Sequence, residues 1–402
     1  MKLDRTVLYA VIFIAFIAAV AVIVWLLQPP ATSTGQVENE RGFFSTLFPF
    51  GRSGSAQTTP LGNDGETFDS GIVPELRKLS EESVAGATYF RGSGGLISVR
   101  YIERDTGHIY ETPVSQSTQI RLTNSTIPAV HDSTWVAAST TLMRFLSDEN
   151  GIQNFVGVIA SSTADQDLTG GFLRNYSRIT VGAKNVLFGI LETPTGSVAE
   201  SLLPDGTGIK TVFTSTLQSW IPHASFGKFY LASAPSGRSF GSVYEVRNGN
   251  LERVIEPRTG LQALFQKEGQ LVAITGGAQN ALSLAMYDLQ NGGMLEIPVG
   301  TIIQKCAWAA GRTAMLVCAV PRTVPQGVYP DDWLLGRIHT DDDVYEINTD
   351  TGAIIRVFNL SESGSGPFDV TQAMLSDDGE YFLFVNRNDQ TLWSARLNPE
   401  IP

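Results

Sequence analysis

Residues 375–385 read LSDDGEYFLFV, and this stretch decides the fold because its pattern recurs along the chain. A short strand is followed by a turn with a glycine and then by a strongly apolar strand. The same pattern occurs in ITVGAKNVLFGI (179–190), ASFGKFYLAS (224–233), FQKEGQLVAIT (265–275) and WAAGRTAMLVCAV (308–320). The turn glycines are 45, 42, 42 and 68 residues apart: Gly182, Gly227, Gly269, Gly311 and Gly379. A repeat of this length predicts an array of similar structural units.

Two further β-runs follow each stretch. The first is exemplified by SVYEV (242–246) and TLWSA (391–395), and the second by LERVI (251–255) and IIRVF (354–358). Four short strands every ~45 residues are typical of a propeller blade, because radial stacking covers both faces of each sheet. The sequence therefore predicts an all-β fold, a seven-bladed β-propeller. Six or eight blades remain open, because the unit at 127–172 is irregular.

The last unit lacks its final strand, since the chain stops soon after TLWSA. A segment with the character of that missing strand, LRKLS at 76–80, precedes the first full unit. We expect residues 75–80 to pair with the last blade and close the ring, which removes an open sheet edge. The alternative is that LRKLS forms a last helical turn of the preceding linker.

The N-terminus predicts a membrane anchor. Residues 8–27, LYAVIFIAFIAAVAVIVWLL, carry no charge, and twenty helical residues span about 30 Å, the thickness of a hydrocarbon core. Lys2 and Arg5 precede this run, and the next basic residue is Arg41. The positive-inside rule then predicts a single-pass protein of the cytoplasmic (inner) membrane, with its N-terminus inside and its propeller extracytoplasmic. A cleaved signal peptide is the alternative.

The expected domains follow from these segments. Residues 1–28 form the cytoplasmic stub and anchor, 29–71 a flexible linker rich in Ser, Thr, Gly and Pro, and 72–402 the propeller. One patch in the linker, GFFSTLFPFG at 42–51, is too apolar for a solvated tether. It could lie on the membrane interface, dock on the folded domain or bind a partner.

The longest spacing between turn glycines contains an insertion in the sixth blade, PRTVPQGVYPDDWLLGRIHTDDD at 321–343. Long loops in compact domains are often functional. The segment combines aromatic, aliphatic and acidic residues, the composition of a binding hot spot. The candidate binding residues are Tyr329, Asp331, Asp332, Trp333 and Leu334. The alternative is that Trp333 plugs one face or the channel of the propeller.

Catalytic and metal-binding patterns are weak. The sequence GRSFG at 237–241 fits a nucleophile elbow, which requires a helix after the serine, whereas a strand-like run follows here. None of the four His residues has a second His or Cys at a ligand spacing, so we expect no metal and no cofactor. Asp341, Asp342 and Asp343 lack the alternating spacing of a calcium loop and read as a solvated acidic turn.

The two cysteines, Cys306 and Cys318, flank the turn at Gly311. A three-residue loop at 311–313 would place them opposite each other, and outside the membrane they could then form a disulfide. A two-residue loop would shift the register and leave both as small buried apolar side chains.

The last blade, LSDDGEYFLFVNRNDQTLWSARL (375–397), resembles the WD40-like repeat of TolB-type propellers. The layout is also similar to single-pass, membrane-anchored propeller proteins of candidate-phylum bacteria. The stretches that carry this second resemblance are LRKLSEESVAGATYF (76–90), VRYIERDTGHIYE (99–111) and QKCAWAAGRTAMLVCAVP (304–321). The resemblance implies a fold and a cell-envelope location, and it favours protein binding without implying an activity.

The net charge of −12 and the scattered basic residues disfavour nucleic acid as a partner. The sequence thus predicts a non-catalytic binding or scaffold propeller that recognises a protein or a cell-envelope polymer. The lipid bilayer would be contacted through residues 8–27. The alternative is an envelope hydrolase or lyase that acts at the central funnel of the propeller. A third hypothesis is that the protein is a purely structural spacer.

Overall fold

The computed structural model of the protein describes residues 75–397, except 93–94, 148–150, 161–162, 268, 310–314 and 364. The predicted anchor (8–27), the linker (29–71) and the apolar patch at 42–51 lie outside the described residues. The described part of the chain holds no helix of the length and hydropathy that a bilayer crossing requires.

The fold is a seven-bladed β-propeller, in which each blade is an antiparallel sheet of four strands. The strands are β1 (Leu76–Lys78); β2 (Val84–Arg91), β3 (Ile97–Glu103), β4 (Ile109–Pro113) and β5 (Ile120–Arg121) in blade 1; β6 (Val130–Ala137), β7 (Thr140–Ser147), β8 (Gly151–Val158) and β9 (Thr169–Phe172) in blade 2; β10 (Arg178–Val181), β11 (Leu187–Thr193), β12 (Gly196–Leu202) and β13 (Lys210–Ser215) in blade 3; β14 (Ile221–Ser225), β15 (Lys228–Ala232), β16 (Phe240–Arg247) and β17 (Asn250–Thr259) in blade 4; β18 (Gln262–Phe265), β19 (Leu271–Ala278), β20 (Ala281–Asp288) and β21 (Met294–Ile297) in blade 5; β22 (Cys306–Trp308), β23 (Met315–Pro321), β24 (Asp342–Asn348) and β25 (Ile354–Phe358) in blade 6; and β26 (Val370–Leu375), β27 (Tyr381–Asn386) and β28 (Leu392–Arg396) in blade 7.

The prediction of seven blades is confirmed, and the irregular unit at 127–172 is the complete sheet β6–β9. The second strands are apolar because neighbouring blades cover both of their faces. Every residue of β27 is buried, and its Phe382 and Phe384 share one core cluster with Val317 and Val344 of blade 6. On the other side, Leu383 belongs to a cluster that includes Val99 of blade 1. The core is therefore a series of layers between blades.

The ring is closed by β1, which is the outer strand of blade 7 and pairs antiparallel with β28. Leu76 lies opposite Ala395, and Lys78 lies opposite Trp393. The side chain of Arg77 is buried and donates hydrogen bonds to the carbonyl oxygens of Pro113 and Val114 in blade 1. The closing segment therefore joins the last blade to the first, which is the junction where a ring would otherwise open.

The antiparallel order of the strands defines two faces. We call upper the face that carries the loops between second and third strands and the connections from one blade to the next. The lower face carries the two other turns of each blade. Because β1 runs antiparallel to β28, a third strand, it starts at the lower face and ends at the upper face. Residue 75, through which the N-terminal part of the chain joins the ring, lies at the lower face.

The cysteines form a disulfide within blade 6. Cys306 of β22 lies opposite Cys318 of β23, and the two sulfurs are bonded. Both side chains are buried in the layer between blades 5 and 6. The disulfide links the start of the inner strand, β22, to the second strand, β23. Disulfides of this kind form in oxidising compartments.

We expect replacement of both cysteines by alanine to lower the free energy of unfolding by about 2–3 kcal/mol. The two cysteines are 12 residues apart in the sequence. Closing a loop of this size lowers the conformational entropy of the unfolded chain, which stabilises the folded state by about 2–3 kcal/mol. Urea unfolding of both proteins, with and without reductant, measures the difference. Reductant should destabilise the native protein and leave the double variant unchanged; equal sensitivity of the two proteins would contradict the prediction.

Candidate functional site: the upper face and a charge cluster beneath it

The insertion lies on the upper face, because it joins the second and third strands of blade 6. It runs from β23 to β24 and contains one short helix, α1 (Asp331–Leu334). Tyr329 and Trp333 are buried, and they form a small apolar cluster with Ile302. The predicted aromatic residues therefore face inward and hold the segment onto the ring.

The insertion is hydrogen-bonded to blade 5. The amide of Tyr329 donates to the carbonyl oxygen of Ala278 (3.1 Å), and Gly327 and Asn280 bind each other through two hydrogen bonds of 2.7 and 2.8 Å. The approach is close enough to require glycine on the blade. A Cβ atom at Gly277 would lie 2.4 Å from the carbonyl oxygen of Tyr329.

Asp331 attaches the insertion to blade 4. Its carboxylate accepts hydrogen bonds from the hydroxyl of Ser236 (2.9 Å) and from the backbone amide of Gly237 (2.6 Å). Gly237 is the first residue of the GRSFG motif. The serine of that motif lies in the loop before β16, a strand, so the strand-to-helix context of a nucleophile elbow is absent from this described loop.

Asp332 organises the insertion itself. It accepts hydrogen bonds from the amide of Val328 (2.8 Å) and from the guanidinium of Arg337 (3.0 Å), and these two groups lower its pKa. At the other end of α1, Arg387 of blade 7 donates to the carbonyl oxygen of Leu334 (3.3 Å), and its guanidinium lies 4.5 Å from the ring centroid of Trp333. The segment therefore contacts blades 4, 5, 6 and 7.

A buried charge cluster lies beneath Trp333. The Nζ atom of Lys305 lies 2.5 Å from Oδ2 of Asp342, 2.6 Å from Oδ1 of Asp369 and 2.8 Å from Oγ1 of Thr340. The side chains of the lysine and both aspartates have no exposed surface. Lys305 immediately precedes β22, Asp342 begins β24 and Asp369 immediately precedes β26. The cluster thus joins blades 6 and 7 at the upper face.

Asp369 has the larger set of partners. Its Oδ1 also accepts hydrogen bonds from the indole of Trp333 (2.8 Å) and the hydroxyl of Thr340 (2.9 Å). Its Oδ2 lies 3.2 Å from Nδ1 of His339, a half-exposed side chain. The insertion therefore supplies an indole and an imidazole to the same buried carboxylate.

The two aspartates differ electrostatically. Burial raises the pKa of Asp342, and the charge of Lys305 offsets this only in part. Burial acts in the same direction on Asp369, but Lys305 and the hydrogen bonds from Trp333 and Thr340 outweigh it, so its pKa is lowered. The pKa values of the two carboxyl groups around this lysine are therefore shifted in opposite directions.

The structure corrects the interpretation of 341–343 as a solvated acidic turn. Asp341 is partly exposed and pairs with Arg322, whereas Asp342 and Asp343 are buried. Asp343 accepts a hydrogen bond from the amide of Leu360. The sequence did not identify Lys305, Asp369 or Arg387 as candidate residues. Nothing local marks them, because their partners come from segments 17–64 residues away.

The exposed part of the insertion is aliphatic and basic. Leu334 and Leu335 are 40% and 64% exposed, and the side chain of Arg337 is 65% exposed. Beside the insertion, between blades 4 and 5, lies a cleft of about 340 Å³. Its lining includes Phe240, Arg258, Gly277 and Leu282, and Phe240 is 74% exposed. The upper face therefore carries both exposed aliphatic side chains and a cleft.

A second cleft, of about 540 Å³, lies on the lower face between blades 2 and 3. Its lining includes Val136, Val158, Leu203 and Asp205. Within the described residues, no group of three or more His, Cys, Asp or Glu side chains is placed to hold a metal ion. The lower cleft is thus a second concave surface of the ring, larger than the one described on the upper face.

Comparison with solved structures supports the fold. The chain is similar to a catalytically inactive virginiamycin B lyase from Staphylococcus aureus with quinupristin, at a TM-score of 0.51 and 12% identity, over 80% of this chain and 99% of that one. It is also similar to the β-propeller domain of the Trilobed protease from Pyrococcus furiosus, which has an open velcro topology. That match has a TM-score of 0.51 and 9% identity, over 79% of this chain and 97% of the other.

These similarities define the class of the protein, a seven-bladed β-propeller. No family model matches the chain. No curated protein matches it either. The resemblance to TolB-type WD40-like repeats and to the envelope proteins of candidate-phylum bacteria therefore stays a prediction. At identities of 9–12% the neighbours share the fold, and their activities carry no weight for this chain.

Proposed function

We propose that this protein is a membrane-anchored, extracytoplasmic binding or scaffold propeller that recognises a protein or an envelope polymer through its upper face. The observation that carries the proposal is the insertion at 321–343. It is held against four blades by buried aromatic residues and carboxylates, and it leaves Leu334 and Leu335 exposed on the face that also carries the cleft at Phe240. A fixed surface of this kind loses little conformational entropy when a partner binds.

The position of the closing strand is consistent with the choice of the upper face. Residue 75, where the described part of the chain begins, lies on the lower face, so this end of the described chain does not cover the upper face. The buried disulfide fits an extracytoplasmic location.

The anchor itself is proposed from the apolar run at 8–27. Membrane fractionation tests it. The full chain should remain with membranes after an alkaline carbonate wash, and a chain that lacks residues 1–28 should be released. Release of the full chain by carbonate would contradict the anchor and leave the upper-face proposal to be tested separately.

The alternative, a hydrolase or lyase at the central funnel, has weaker support. The described cluster of lysine and carboxylates is fully buried, so a substrate has no access to it. The lyase among the structural neighbours is too distant in sequence to transfer its activity.

Crosslinking in the native envelope, followed by mass spectrometry, tests the binding face. We expect Leu335→Asp to reduce the recovery of specific partners at least tenfold, because a charge at an apolar contact costs more than about 1.4 kcal/mol. The matched control is Leu203→Asp, an exposed leucine at the cleft of the lower face. Loss of partners with Leu203→Asp alone would move the site to the lower face. Partners unaffected by both substitutions would favour a structural spacer.

A further inference from the structure

The buried cluster brings together groups that could react with each other to form a covalent bond within the chain. A primary amine lies between two carboxyl groups, at 2.5 and 2.6 Å, where none of the three side chains is exposed. A buried salt bridge contributes little to stability here, because one lysine and two carboxyl groups must all be removed from water. The attraction of the lysine to the two carboxylates is also partly cancelled by their mutual repulsion. Burial raises the pKa of Asp342 and so favours its carboxylic acid form, and this acid and the amine of Lys305 are the two groups that an amide joins.

We propose that Lys305 and Asp342 condense into an intramolecular isopeptide bond, with Asp369 as the catalytic residue that moves the proton. Lys305 first gives a proton to Oδ1 of Asp369. The free amine then attacks Cγ of Asp342, so that a C–N bond forms. The tetrahedral intermediate loses the Oδ1 oxygen as water, which takes one proton from the nitrogen and one from the carboxyl group of Asp342, and the first proton of the ammonium group remains on Asp369. No oxidant, reductant or second molecule is needed.

The surroundings of Asp342 suit this reaction. Its Oδ2 accepts a hydrogen bond from the backbone amide of Val370 (2.8 Å), which can stabilise the negative charge that develops on this oxygen during the attack. Its Oδ1 is buried and has no hydrogen-bond partner among the described residues, so no hydrogen bond there has to be broken when this oxygen departs. Burial raises the pKa of Asp342, a shift toward the protonated form, which is the more electrophilic form of a carboxyl group.

The surroundings of Asp369 lower its pKa and so favour the carboxylate, which is the form that can accept a proton from the amine. The hydroxyl of Thr340 and the indole of Trp333 hold its Oδ1 beside the amine. Strands β22, β24 and β26 hold the three side chains next to each other. The reaction is therefore intramolecular, and it avoids the entropy loss of bringing two separate molecules together. Exclusion of water by Trp333 would also protect the amide product from hydrolysis.

Mass spectrometry of the full chain, purified in detergent, denatured and reduced, tests the proposal. We expect the mass to lie one water below that of the sequence, and a proteolytic digest to contain a branched peptide that joins Lys305 to Asp342. Lys305→Arg, which keeps the charge but cannot condense in this way, should have the full mass of its sequence.

Two further variants separate chemistry from misfolding. Asp342→Asn should release ammonia instead of water and give the same final mass as the native protein. Asp369→Ala should remain uncondensed or condense slowly. A folded native protein with the full mass of its sequence would overturn the proposal. So would a water loss that maps to a succinimide at an Asp-Gly sequence, such as Asp205-Gly206 or Asp378-Gly379.

Discussion

Deletion of residues 75–80 is expected to destabilise the whole ring by more than about 5 kcal/mol, an amount comparable to the entire stability of many domains. The deletion removes β1 and the fully buried Leu79, and a buried leucine alone contributes about 2–5 kcal/mol. It also removes the hydrogen bonds of Arg77 to blade 1 and leaves β28 as an open edge, which promotes aggregation. Thermal unfolding by circular dichroism and the oligomeric state by size-exclusion chromatography measure the effect.

The matched control is a deletion of equal length in the predicted linker, residues 60–65. This control should keep the melting temperature and the monomer–oligomer distribution of the full chain. If the two deletion proteins unfolded at the same temperature, the closing strand would contribute nothing to the stability of the ring, and the toroidal arrangement would have to be stabilised by the layers between blades alone.

The second large effect is expected for Trp333→Ala, a loss of about 3–5 kcal/mol in the free energy of unfolding. The indole is buried, packs with Tyr329 and Ile302, and donates a hydrogen bond to Asp369. Its removal would open the layer that separates Lys305 and the two aspartates from solvent. Urea unfolding monitored by circular dichroism gives the midpoint and the slope for both proteins.

Leu335→Ala is the control for Trp333→Ala, since this exposed neighbour should change stability by less than about 0.5 kcal/mol. Trp333→Phe should be intermediate, because it keeps an aromatic ring and loses the donor to Asp369. Equal stability of Trp333→Ala and Leu335→Ala would mean that the insertion is not packed against the ring in solution.

The repeat allowed the blades to be predicted, because each blade is a local unit whose strands follow one another in the chain. The turns at Gly227 and Gly379 have glycines at positive φ, and each is followed by a buried second strand. The closing strand was predicted by a different argument, the strand missing after TLWSA. The prediction needed only one further observation, that LRKLS has the residue pattern of an outer strand.

The contents of the candidate site were less predictable. Sequence composition drew attention to 321–343, but it could not tell that Tyr329 and Trp333 point inward, because orientation depends on blades 4, 5 and 7. The Asp341–Asp343 run looked hydrophilic and therefore solvated. Its middle residue is buried only because Lys305, 37 positions earlier, comes to lie beside it. Side-chain contacts between different blades leave no repeating pattern in a single sequence, so they could not be predicted from it.

The direction of β1 has a mechanical consequence. Tension transmitted from the N-terminal side would pull on residue 75 along the axis of the strand, away from the upper face. The bonds at both ends of this pairing, Arg396 to Glu75 and Leu79 to Leu392, would then be loaded together in shear rather than broken one after another. A ring pulled at residue 75 in this way would resist force at its closure, and the hydrogen bonds of Arg77 to blade 1 would carry part of that load.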